Sequence, residues 1–170
     1  MGMASHQTQG QTMDTGKQWH RGGAAKSIGE IVQRLTHSVA PSTAARSGDG
    51  SVERVRAFLA DDIGLRQLGG MTSFAAVDRL LVVAGFADKA RNQRLRWAQL
   101  LAFRLGCDAP AVLLAILADV VADGTAISVG ACLGHRLRRI AAGHARDAFS
   151  GAAPDNLLGF LDQAFRNPKP

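Results

Sequence analysis

The chain has 170 residues, 46% of them hydrophobic, and 20 Lys and Arg against 14 Asp and Glu give a formal net charge of +6. This length holds one compact domain plus a tail, and the aliphatic content is enough for a sizeable core, which excludes a wholly unstructured chain. The positive balance favours an anionic partner, a phosphate backbone or an acidic protein, over a membrane.

Residues 1–25 are rich in Gln, Gly, Thr and Ser without apolar periodicity, so they read as a flexible tail that cannot offset the entropy of ordering. The opening MGMASHQTQGQ lacks the apolar centre of a secretory signal, and no apolar run reaches the roughly twenty residues needed to cross a bilayer. A cytoplasmic protein is expected. Cys107 and Cys132 are too few and too far apart for a disulfide scaffold, and their apolar contexts predict buried free thiols.

Residues 26–50 read as an amphipathic helix plus linker. Ser27 and Glu30 form a capping box, Ile28, Ile31, Val32 and Leu35 form an apolar stripe, and Pro41 begins a Gly/Ser-containing connection. This helix either packs back on the domain or contacts a protein partner through residues 27–39.

A helical domain is expected over residues 51–168. Its first helix, 51–60, turns Val52, Val55, Phe58 and Leu59 inward, and the Gly69-Gly70 pair marks a turn. A second runs from Ser73, the expected cap, to Ala84, with Phe74, Val77, Leu80 and Leu81 on one side and Gly85 as its stop. The third covers 88–105; its first half projects into solvent with Lys89, Arg91, Arg94 and Arg96, and Leu100, Leu101, Phe103 and Leu105 bury its second half. From Arg79 to Arg104 six basic residues face only Asp88.

Asp108 is read as the cap of a fourth, almost wholly apolar helix with Pro110 in its first turn and Gly124 at its end. The fifth, 128–143, separates into an apolar side (Val129, Leu133, Leu137, Ile140) and a cationic one (His135, Arg136, Arg138, Arg139). No Asp or Glu lies between Asp123 and Asp147, so this face has no acidic partner within its own helix. Asp155 is read as the cap of a last helix carrying Leu157, Leu158, Leu161 and Phe165. Only residues 125–129 have any strand character. The fold class is therefore all-α, a compact bundle of about five or six helices behind a flexible N-terminal tail.

Catalytic and cofactor motifs are lacking. The stretch GQTMDTGKQ has five residues between its glycines instead of four, and Gln18 stands where a P-loop needs Ser or Thr. The histidines have no neighbouring ligands at zinc spacing, and Asp61-Asp62 reads as a cap region. No enzyme, metal or cofactor is expected.

Residues 111–145, AVLLAILADVVADGTAISVGACLGHRLRRIAAGHA, resemble the C-terminal region of RepC-type plasmid replication initiators. Ile127, Ser128, Gly130, Leu133, Arg136, Arg138, Arg139 and Gly143 occupy comparable places, whereas the Pro and Tyr of that family's pattern are replaced by Val129 and Cys132. The winged-helix portion of such initiators has no room here. The resemblance implies a DNA-binding accessory of plasmid replication or maintenance.

Two functions fit these features. One is a small basic DNA-binding protein, with DNA favoured over RNA, whose phosphate contacts are Lys89, Arg91, Arg94, Arg96, His135, Arg136, Arg138 and Arg139. The other is a helical protein-interaction or regulatory module without nucleic-acid binding.

Overall fold

The computed structural model describes residues 50–86, 91–151 and 153–166. The tail, the helix expected over 27–39 and Lys89 lie outside them. Gly50, with φ +69°, opens α1 (Ser51–Leu59), where Val55 and Leu59, one turn apart, are buried. The Asp61 carboxylate then accepts from the Ile63 amide at 3.1 Å and starts α2 (Asp62–Gly69). This helix was not expected. It lasts two turns and ends on glycine, too short to show a periodicity around its buried Gly64 and Leu68.

Helix α3 (Ser73–Val83) buries Ala76, Val77, Leu80 and Leu81. Its cap is Thr72, whose hydroxyl accepts from the Ala75 amide at 3.3 Å, in place of the expected Ser73. Thr72 has the extended backbone that capping requires, and Ser73 is already helical. Phe74 was placed in the core but is 42% exposed, because it sits on the first turn at the rim of the buried arc.

Helix α4 (Arg91–Leu105) packs most extensively on α3 and buries Ala98, Leu101 and Leu105. Phe103, also expected inside, is 70% exposed. Two residues from Leu101 and from Leu105, it is turned about 200° from both. Gly106, at φ +60°, ends α4 and begins a 3-10 turn, Gly106–Asp108.

Helix α5 (Ala109–Asp123) is the centre of the molecule. Val112 through Ala118 are all buried, and α1, α3, α4 and α6 surround them. Asp108 occupies the cap position with αR backbone, so its carboxylate makes no capping bond, contrary to expectation. Across the 3-10 turn, Arg91–Asp123 is a 33-residue helical run long and apolar enough to cross a membrane by length and composition, where the sequence was expected to hold none. Within the fold 67% of its apolar window is buried, and Gly106 divides the run in two.

Residues 125–128 form no strand, and α6 (Val129–Ala141) starts where one was considered. Ser128 at its N-cap makes no side-chain bond. The Val129 amide donates instead to the Ser51 hydroxyl at 2.9 Å, so the first residue of α1 caps α6 across the fold. Ser51 is fully buried. Ser51→Ala would strand the Val129 N–H in the interior, at an expected cost of about 1–3 kcal/mol in urea unfolding; an unchanged midpoint would show that the amide finds another acceptor.

A second 3-10 turn, Arg146–Ala148, leads to α7 (Asp155–Arg166), which buries Leu157, Leu158 and Leu161 with Phe165 half-buried. Asp155 is its first helical residue. The cysteines also depart from expectation: Cys107 is exposed on the 3-10 turn, and Cys132 is half-buried.

Candidate nucleic-acid interface

Helix α6 sits where its sequence periodicity requires. Val129, Leu133, Leu137 and Ile140 are buried, and the side next to them is kept small by Gly130 and Gly134. A Cβ at Gly130 would lie 3.1 Å from the Ala84 carbonyl oxygen, and one at Gly134 would lie 3.7 Å from the Phe86 ring. The chain leaving α3 can therefore lie directly on α6. Docked in this way, α6 exposes Ala131, His135, Arg138, Arg139 and Ala141, followed by Ala142 at its C-cap.

The cationic groups on that face differ in freedom. Arg139 donates from Nε to His135 Nε2 at 3.1 Å and lies 3.6 Å from the Asp147 carboxylate through Nη1. Both members of the ion pair are about half exposed, so solvent screens it and it is weak. Arg138 has no ion-pair partner among the described residues. His144, exposed just beyond the helix, adds a further imidazole that was not among the expected contacts.

Arg136 does not belong to this face. It is buried, 9% exposed, and its guanidinium bonds to the Asp119 carboxylate, to Asp123 at 3.4 Å and to the Ser150 hydroxyl. Ser150 ties the cluster further, donating its amide to Asp119 at 3.0 Å and its hydroxyl to Asp123 at 3.1 Å. The acids that compensate α6 come from α5, so a helix with no Asp or Glu of its own is still neutralised in part by its neighbour. Asp119 and Asp123 are one turn apart on an otherwise apolar helix. Two carboxylates at that spacing on a helix that must be buried call for a cation, and that spacing is the signal by which the pairing could be found.

The basic residues of α4 are dispersed. Arg94 is largely buried and donates to Asp78 of α3 at 2.7 Å, with the Phe86 carbonyl at 3.5 Å from its Nη1. It fastens α4 to α3 and is not available as a phosphate ligand. Arg91 and Arg96 are exposed, but they are five positions apart, so they point about 140° apart around the helix. Of the expected contacts, the fold brings His135, Arg138 and Arg139 onto one surface, leaves Arg91 and Arg96 apart from each other, and turns Arg94 and Arg136 inward; Lys89 lies outside the described residues.

Among the described residues no group of three His, Cys, Asp or Glu could hold a metal ion. The chemistry on offer at α6 is anion contact by two arginines and an imidazole on a helix docked through its apolar side. Comparison with known proteins finds no matching family model, no similar curated protein and no similar solved structure.

Proposed function

We propose that this is a small helical DNA-binding protein that grips phosphates through the α6 face formed by His135, Arg138 and Arg139. The observation that carries the reading is the exposed Arg138 beside a loosely paired Arg139, on a helix whose own underside is fixed by the buried Arg136 cluster. Arginine gives bidentate phosphate contacts, and a helix locked in place holds them without further ordering cost. The net charge of +6 adds long-range attraction to a polyanion. The resemblance of residues 111–145 to RepC-type initiators extends the reading to a non-catalytic, cytoplasmic accessory of plasmid replication or maintenance.

Replacing Arg138 and Arg139 together with Ala tests this. Duplex affinity should fall for all sequences alike, and the slope of log affinity against log salt should flatten by up to roughly 0.9 for each phosphate that is no longer neutralised. Arg66→Ala, on exposed α2, controls for net charge and should change binding far less. An unaltered slope in the double variant, with helix content intact, would place DNA binding elsewhere than α6 and leave an acidic protein as the better partner.

A further inference from the structure

Arg54 of α1 lies against the same strip of chain, Ala84 to Phe86, that seats α6. Its Nε donates to the Val83 carbonyl at 2.9 Å, and its Nη2 lies 3.2 Å from where a Cβ on Gly85 would stand. The bond to Val83 uses one nitrogen. Arg54 is exposed and has no ion-pair partner among the described residues, so its outer nitrogens keep their donors for a ligand. Gly85, also exposed, joins this arginine to α6: its carbonyl carbon and oxygen are each 3.5 Å from the place of a Cβ on Gly130, in the first turn of that helix.

From Gly130 the same flank of α6 leads to the cationic end. Gly134, one turn on, faces the Phe86 ring, and Arg138 follows after one more turn. Each four-residue step rotates by only about 40°, so Arg138 emerges at the solvent edge of the flank that the Ala84 to Phe86 strip covers. Between the two ends α6 exposes only Ala131 and His135, and no acid. Gly130 and Arg138 are eight positions apart, which puts the two arginines about 12 Å apart along the α6 axis. The major groove of B-DNA is about 12 Å wide, whereas successive phosphates of one strand advance by about 3.4 Å.

We infer that Arg54 is a further phosphate ligand of the α6 interface, holding one strand of a duplex while Arg138 and Arg139 hold the other across the groove. This rests on the DNA-binding reading above and adds the form of the partner. A duplex presents phosphates at that separation ready-made, and a single strand has to be ordered to do so. Titrations of the full chain with a random-sequence duplex and a matched single strand across a salt series, below the melting transition of each variant, test it. Arg54→Ala should flatten the duplex slope of log affinity against log salt by roughly 0.9, which over the decade from 1 M to 0.1 M salt amounts to about eightfold weaker binding. Single-strand affinity should fall distinctly less. Arg54→Lys keeps a charge for the phosphate and gives up the guanidinium geometry, so it should retain the slope. A lowered unfolding midpoint with an unchanged slope in Arg54→Ala would show that Arg54 only fastens α1 to α3, and would overturn the inference. Should the Arg138→Ala/Arg139→Ala variant flatten the slope while Arg54→Ala behaves like Arg66→Ala, the extension to α1 falls and the α6 interface stands; if neither flattens it, both fall. Equal losses on duplex and single strand would overturn the two-strand arrangement.

Discussion

Arg136→Ala is expected to destabilise the fold by on the order of 3 kcal/mol, the largest effect of any single arginine here. The guanidinium is the only cation bonded to Asp119 and Asp123 among the described residues, and the Asp119 side chain is nearly as enclosed as Arg136 itself. Removing it would leave two carboxylates facing each other on α5 and free the Ser150 loop. The figure is at the lower end for a buried pair broken from one side, because the Asp123 side chain is 31% exposed and water can partly replace its partner. Urea unfolding followed by circular dichroism measures this. Arg138→Ala, two residues away on the exposed face, should fall within about 0.5 kcal/mol of the parent. Equal stability of the two variants would contradict the division of α6 into a fixed underside and a free face.

Leu117→Ala should be costlier still where the cavity fails to collapse, at about 2–5 kcal/mol. Leu117 is fully enclosed on α5, within an unbroken buried run from Val112 to Ala118. The surrounding helices α1, α3, α4 and α6 hold its walls, so relaxation around the missing methyl groups is restricted. Thermal or urea unfolding reads the effect. A near-neutral result would mean that α5 has a mobile or solvent-accessible side, and would undermine its role as the central element.

α1, α3, α6 and α7 were legible from apolar spacing because their stripes are sustained, whereas α4 has no single stripe and α5 was read as an apolar run between Asp108 and Gly124. Val129, Leu133, Leu137 and Ile140 repeat at the helical interval and are buried where that interval puts them. α2 was hidden because two turns give no repeat. Phe74 and Phe103 were misplaced for a different reason: an aromatic residue was counted as core by type, when its angular position puts it at the rim or on the outer side of its helix.

The candidate site was legible as composition and only partly as geometry. The sequence shows that α6 is cationic and lacks acids of its own. Which arginines are spent on structure depends on neighbouring helices: Arg136 meets acids of α5, and Arg94 meets Asp78 of α3. Those pairings span 13 to 17 residues and cross helix boundaries, so spacing within one helix can show that Asp119 and Asp123 need a cation but does not say which arginine supplies it. The trans-cap from Ser51 to Val129 crosses 78 residues and is likewise a property of the assembled fold.

An anisotropy titration of the full chain against a labelled random-sequence duplex and a matched single strand, repeated across a salt series, tests DNA binding most directly. Binding to the duplex should weaken linearly on a log–log plot with a slope of roughly −2 to −3, two or three phosphates at about 0.9 each. Absence of duplex binding at the lowest salt, or an affinity that does not change with salt, would contradict a phosphate grip by the α6 face.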